Sequence, residues 1–157
     1  MAADGQRVRA LLPPGSFRFI GSIICSVIAL VSTCASAILV FGQGLSSDFL
    51  AKLIVLMLFV GVFLVFHPNF RITRGAKWPL VYMSVLLLSC ISLLLIVLAW
   101  SYLHDTGNVG VGVFVGLIAG VIGLWGYRSR ALEKLRAHFD QIWKEECRRR
   151  EILRNSR

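Results

Sequence analysis

The chain alternates between long apolar runs and short polar connections. A helix needs about 20 apolar residues to cross a bilayer, and four runs approach or exceed that length, at residues 19–41, 49–66, 80–102 and 109–127. The second run begins with one charge, Lys52, whose flexible stem lets the ammonium group reach toward water. We therefore predict an all-α integral membrane protein, a bundle of four transmembrane helices over residues 19–127.

Charged side chains are confined to the ends of these runs. Between residues 19 and 127 there are only six, all in or beside the gaps between apolar runs: Asp48, Lys52, Arg71, Arg74, Lys77 and Asp105. Hydrophobic residues make up 57% of the 157 residues and charged residues 16%, which leaves too little polar surface for a soluble domain. No connection is long enough for a globular domain, so we expect function to lie in the bundle or in the C-terminal segment.

Lysine and arginine mark alternate connections. Basic residues occur before the first run, between the second and third, and after the fourth: Arg7, Arg9, Arg18, then Arg71, Arg74, Lys77, then ten in residues 128–157. This positive-inside pattern predicts a cell-membrane protein with both termini in the cytoplasm and residues 1–18 as a cytoplasmic arm.

A signal peptide remains an alternative for the first run. Arg7 and Arg9, the apolar stretch and the small residues Ala35-Ser36-Ala37 also fit a secretory leader with its cleavage site. Cleavage would leave three spans and the same cytoplasmic tail. The run continues to Phe41, longer than a usual leader core, so four spans are the favoured interpretation.

Two of the runs carry rows of small residues. Gly112, Gly116 and Gly120 recur every four residues and form a glycine zipper on one face of the fourth helix. One face of the first helix carries a similar stripe, of Ser22, Ser26, Ala29, Thr33 and Ala37. We expect the two faces to pack together inside the bundle, with self-association or contact to another subunit as the alternative.

The C-terminal segment, residues 128–157, has the pattern of a basic amphipathic helix. Apolar residues recur at intervals of three and four along one face, and three arginines follow: Leu132, Leu135, Phe139, Ile142 and Trp143, then Arg148, Arg149 and Arg150. Such a helix beside a membrane either lies on anionic headgroups or docks into the groove of a partner. No nucleic-acid-binding signature is present, so nucleic acid is not an expected partner.

The chemistry of catalysis and metal binding is missing from the sequence. Its four cysteines are scattered without CxxC or Cys/His spacing, and no nucleophile is paired with a base. We expect no enzymatic activity, no catalytic residue, no cofactor and no metal ion. The apolar runs also lack the mid-depth ionisable groups that ion-coupled transporters use.

The segment His67-Pro68-Asn69-Phe70-Arg71 follows the second run. A histidine and an arginine at this position are able to bind a small headgroup, but Pro68 also provides a helix stop flanked by interfacial anchors. We interpret the segment as that helix stop.

A pattern within residues 53–102 resembles the small membrane subunit, or the equivalent region of fused permeases, of tripartite substrate-binding-protein-dependent transporters. Its features are Phe66-His67-Pro68, a basic loop, and a Leu-rich helix starting at Trp78-Pro79. The resemblance implies a transporter subunit as an alternative function.

The interpretation that we favour is an accessory or scaffolding subunit of a membrane complex. Its partners would be other membrane subunits or further copies of itself, together with anionic lipid headgroups. A second alternative is a homo-oligomeric pore of the holin type, assembled through the glycine row and lined by the Ser/Thr stripe.

Reporter fusions test the topology. Fusions after Gly44 and Asn108 are expected to read as external and those after Arg74 and Arg157 as cytoplasmic, because basic connections stay on the cytoplasmic side. A cytoplasmic signal at Asn108 would contradict the four-span arrangement.

Overall fold

The computed structural model describes Pro13 and residues 15–42, 45–104 and 110–155, and in these ranges every regular element is a helix. The helices are α1 Ser16–Phe41, α2 Ser47–Ile72, α3 Trp78–Leu103, α4 Gly110–Tyr127 and α5 Arg130–Asn155. The first four are long and apolar enough to cross a membrane, which confirms the predicted all-α fold with four candidate spans. Most of the predicted N-terminal arm and residues 105–109 lie outside the described residues.

Helix α2 continues through Pro68, so the predicted helix stop at this residue is wrong. Proline removes one backbone hydrogen bond, but transmembrane helices tolerate this where neighbouring helices and side chains compensate. Here Asn69 Nδ2 donates to the Val65 carbonyl at 2.7 Å, which adds a bond within the same turn. The helix ends one turn later at Ile72, and Gly75, with a φ of 82°, reverses the chain.

The bundle is built around α4. This helix packs most extensively against α1 and next against α3, whereas α2 contacts α1 and α3 from the periphery. The three central helices bury apolar residues, among them Ala29, Leu87, Leu94, Val113 and Ala119, and α1 also buries serine and threonine side chains. On α2 the buried residues are Gly61, Val65, Pro68, Asn69 and Ile72, so the half of α2 before Gly61 lies outside the core.

Glycines bring the backbone of α4 close to both neighbours. A Cβ built on Gly116 would lie 2.6 Å from Ser32 Cβ on α1 and 2.9 Å from Leu94 Cδ1 on α3. A Cβ on Gly120 would lie 2.8 Å from Ile91 Cγ1 on α3. Any larger side chain at these positions has to displace a neighbour, so this face of α4 lies inside the bundle.

The glycines of α4 that pack against other helices continue toward the C-terminal end of the helix and do not include Gly112. Gly112 is exposed, and within the described residues no atom of another helix lies within 4 Å of a Cβ built on it. Gly123 and Gly126 continue the contact instead: a Cβ on Gly123 would lie 3.4 Å from Cys25 Cβ, and one on Gly126 would meet Ser22. Gly112 is therefore outside the helix contact, although Val113 beside it is buried.

Matched leucine substitutions test this packing. Gly116→Leu is expected to destabilise the bundle by about 1–3 kcal/mol, the usual range for overpacking a tight interior. Gly112→Leu should be neutral, because its side chain enters open space, and so should Val115→Leu, whose site is half exposed. Thermal unfolding in detergent measures the difference. Equal melting temperatures for Gly116→Leu and Gly112→Leu would contradict the packed glycine face.

Candidate interaction surfaces

The two ends of the bundle differ in charge. We call the end where α1 begins, α2 joins α3 and α4 ends the basic end; its described residues include Arg18, Arg71, Arg74, Lys77 and Arg128. In the described part of the opposite end the charged residues are Asp48 and Lys52, which form a salt bridge of 2.7 Å. The positive charge is thus concentrated at one membrane surface.

The small-residue stripe of α1 lies in the bundle interior. Its members Ser22, Ser26, Ala29 and Thr33 are all buried. The Ser26 hydroxyl donates to the Ser22 carbonyl and the Thr33 hydroxyl to the Ala29 carbonyl, each at 2.7 Å. Because each hydroxyl is satisfied by its own helix, the stripe serves as a packing surface.

Helix α5 begins with a sharp turn at Ser129. The Ser129 hydroxyl donates to the Gly126 carbonyl at 2.7 Å and accepts from the Leu132 N–H at 3.4 Å, which caps the new helix. Leu132 and Leu135 are then fully buried against the bundle, and Phe139 is partly buried there.

The apolar face predicted for the C-terminal helix is therefore divided. Its first part packs on this chain's own bundle, and only Ile142 and Trp143, which are 49% and 39% exposed, remain accessible. The expectation that the whole face is available to lipid or a partner needs this correction. The physical reason is that the Ser129 turn directs the face back onto the ends of α1 and α2.

Two contacts fix α5 to the turn between α2 and α3. Arg136, which is 9% exposed, donates from Nη1 to the Gly75 carbonyl at 2.9 Å. A Cβ built on Gly75 would lie 2.6 Å from Asp140 Cβ, so the turn and α5 are in direct contact. A hydrogen bond from a buried guanidinium group is among the stronger kinds in a protein.

A cation–aromatic contact extends the docking by one turn of α5. The Arg74 guanidinium lies 4.5 Å from the Phe70 ring centroid and 5.1 Å from that of Trp143. A guanidinium over an aromatic face is attracted to the electron-rich ring. This contact joins the end of α2 to the middle of α5.

Helix α5 also contacts the start of α1. Gly15 has a φ of 103°, and a Cβ built there would lie 2.8 Å from the Ala131 carbonyl oxygen. Because α5 contacts Gly15 early in its length and Arg74 near its middle, it crosses the basic end of the bundle. The arginine cluster Arg148, Arg149 and Arg150 lies on the exposed part that follows, where Arg150 Nε pairs with Glu146 at 3.0 Å.

The pKa of Asp140 is held below its usual range, first by the hydrogen bond from Lys144 and then by the charges of Lys144, Arg136 and Lys77. A lowered carboxyl pKa gives a contribution to stability that is present above the unfolded-state pKa and is lost as the pH falls through the folded-state pKa. Because Lys144 lies one turn from Asp140 on the same helix, the lowered pKa favours the helical state of α5 at neutral pH over acid pH.

A buried hydrogen bond links α2 to α4 near the basic end. Tyr127 Oη donates to Asn69 Oδ1 at 2.8 Å, and both side chains are 3% exposed. The sequence pattern predicted a helix stop at Pro68, beside Asn69, and did not predict this pair. The available signal was an amide within one helical turn of a long apolar run.

Four phenylalanines form a row on the outer face of α2, which we call the aromatic row: Phe59, Phe63, Phe66 and Phe70. They are spaced by four, three and four residues and are 76%, 61%, 53% and 55% exposed. The ring of His67 stacks on that of Phe63 with centroids 5.2 Å apart. This spacing matches that of a helix–helix seam in a left-handed bundle.

The described side chains form no metal-binding group. Within residues 15–42, 45–104 and 110–155 no three His, Cys, Asp or Glu side chains are grouped as a metal ion would need. The four cysteines, all within these ranges, are free thiols. The surfaces with functional potential are thus the aromatic row, the basic end and the exposed part of α5.

Comparison with known protein families, with curated proteins and with solved structures gave no match to this chain.

Substitution of Arg136 tests the docking of α5. Arg136→Met is expected to release residues 130–143 from the bundle, because it removes the hydrogen bond to Gly75 and leaves that carbonyl without its guanidinium partner. Hydrogen–deuterium exchange of this segment should rise at least tenfold. Lys134→Met, which removes the same charge from the exposed face, is the matched control and should leave the exchange unchanged. Equal exchange in the two variants would show that Arg136 does not hold α5.

Proposed function

We propose that this protein is a non-enzymatic accessory subunit of a membrane complex and that it binds a transmembrane helix of its partner through the aromatic row of α2. The observation that carries the proposal is the exposure of that row: four phenylalanines in helix-seam spacing on a span that gives its own bundle few buried residues. The multi-pass membrane character rests on the four apolar helices.

The spacing of the row favours a helix as the occupant. Side chains repeating at four, three and four residues stay on one side of a helix that packs at a shallow left-handed crossing angle. Phenylalanine rings offer large contact areas and add about 0.5–1.5 kcal/mol for each aromatic pair beyond simple burial. The proposal assigns the protein a role exercised through another subunit.

The glycine face does not support an intermolecular role. Gly116 and Gly120 contact α1 and α3 of the same chain, so they are not available to a second copy. The Ser/Thr stripe, which a pore interpretation needs as its water-lined wall, is buried and bonded to its own helix. We therefore move the partner surface from the glycine row to α2 and do not propose a pore.

The charge of the basic end supports the proposal that the protein lies in the cell membrane with both termini in the cytoplasm. Cytoplasmic connections are rich in lysine and arginine, and the described charges of this end are mostly basic. Helix α5 crosses the same end, so its exposed arginines lie beside the proposed cytoplasmic leaflet. Each basic residue near an anionic surface contributes about 1 kcal/mol to lipid attraction, which supports headgroup contact as a secondary role.

Conservative substitutions in the aromatic row test the proposal. The double variant Phe59→Leu with Phe63→Leu keeps the span apolar but reduces the rings available to a partner. Affinity purification of the full chain from its native membrane in mild detergent is expected to lose the partner subunit at least threefold in this variant. Phe114→Leu with Ile118→Leu is the matched control, because it alters exposed residues four apart on α4.

Two results would overturn the accessory-subunit proposal. One is co-purification that does not differ between the row variant and the control. The other is recovery of this chain alone as a homo-oligomer that the row variant dissociates, which would make α2 a self-association surface.

A further inference from the structure

An apolar slot lies between α1 and α2 on the side of the bundle away from the basic end. Its volume is about 410 Å³, and all twelve lining residues are uncharged, seven from α1 and five from α2. Val31, Ala35 and Leu39 line it from α1, and Ile54 and Leu58 from α2. The volume falls within the range of about 300–1,000 Å³ that is usual for small-ligand sites.

The two helices approach each other closely near both ends of the slot. Near one end a Cβ built on Gly61 would lie 2.6 Å from Leu30 Cδ2, and near the other a Cβ on Gly42 would lie 3.1 Å from Leu50 Cδ2. The lining continues past the first of these contacts to Val27. Residues 30 and 42 are about 18 Å apart along a helix that rises 1.5 Å per residue. The slot is therefore narrow, elongated and aligned with the spans.

These dimensions decide which occupant fits. A transmembrane helix is about 10 Å across and cannot enter between two helices that are in contact at both ends. Water is not retained in a space without polar partners. An extended hydrocarbon chain is narrow and apolar, and one leaflet of the hydrocarbon core is about 15 Å deep, half of the usual 30 Å.

We propose that the slot between α1 and α2 binds one acyl chain of a membrane phospholipid. Leu30 and Gly61 close it near the bilayer centre, and Gly42 and Leu50 close it near the surface opposite the basic end. The chain enters from the side, where the slot is open to the hydrocarbon. Binding buries the apolar walls of α1 and α2 and holds the peripheral helix α2 against the rest of the bundle.

The acyl-chain site lies beside the aromatic row, and Val62 borders both. The slot-lining Leu58 and the row residue Phe59 are successive residues and point about 100° apart around α2. The lipid proposal is argued from the walls of the slot alone, so it does not depend on the proposed function. If the partner-helix proposal or the acyl-chain proposal fails its test, the other is unaffected.

Photo-crosslinking in vesicles tests the lipid site. The full chain is reconstituted in phosphatidylcholine vesicles that contain a phosphatidylcholine with a diazirine on one acyl chain, and labelled peptides are mapped after irradiation. We expect the slot-lining segments 30–39 and 54–62 to carry at least three times the label of the exposed face of α3 around Val81 and Val85, which are 67% and 57% exposed. Excess unlabelled phospholipid should reduce the slot signal.

Variants that fill the slot, compared with a control variant on α3, test the lipid site further. Ala35→Phe places a ring in the slot and should abolish the excess label, whereas Val85→Phe, at an exposed site on α3, should retain it. Ala35→Leu is a smaller filling that covers the case in which Ala35→Phe does not fold, as judged by thermal unfolding. Uniform labelling of all exposed faces, or an excess that persists in folded Ala35→Phe or Ala35→Leu, would overturn the site.

Discussion

The close approach of the α4 backbone to α1 and α3 is the constraint on which the arrangement of the other helices depends. Within a bilayer, burying apolar surface does not drive helices together, because the lipid is equally apolar; tight packing and hydrogen bonds do. Gly116 and Gly120 allow that packing on both sides of α4. Three spans thereby form the core, and the fourth, α2, is left at its edge.

The peripheral position of α2 explains both proposed surfaces. Near the basic end it is held by the Tyr127–Asn69 hydrogen bond, a polar pair that gains strength in surroundings with little water. Toward the opposite end it approaches α1 closely at Gly61 and Gly42, between which the slot opens. Its outer face is largely exposed and carries the aromatic row.

Helix α5 changes the character of the basic end. The docked part of α5 covers the end of the bundle, where it is held by Arg136, Arg74 and the buried leucines. The surface there is therefore formed by several elements together and is not a free tail. The exposed arginines project from a helix whose start is fixed. A rigid base for these charges limits the positions that they reach, which favours a defined contact surface over a flexible basic arm.

The local sequence pattern was sufficient to predict the helices but not the contacts between them. The apolar runs predicted all four spans, because a single segment in lipid satisfies its own backbone hydrogen bonds by forming a helix. The end of α2 was mispredicted at Pro68, because Pro68 and Asn69 are buried within the bundle and Asn69 bonds Tyr127 of α4, contacts that a local pattern does not show. The small-residue rows indicated tight packing, but which glycines take part depends on where the helices meet, and Gly112 lies outside that contact.

The sequence by itself determined that the chain is an all-helical membrane protein with four apolar spans and an asymmetric distribution of charge, because composition and run length depend on nothing beyond each segment. Only the tertiary structure decided which apolar faces are buried within the bundle and which stay exposed. Leu132 and Leu135 have the same pattern whether they meet lipid, a partner or their own bundle, and Phe59 and Phe63 have the pattern of any apolar span. The partner of an apolar face is set by the position of the neighbouring helices, because apolar contacts carry no directional signal in the residues themselves.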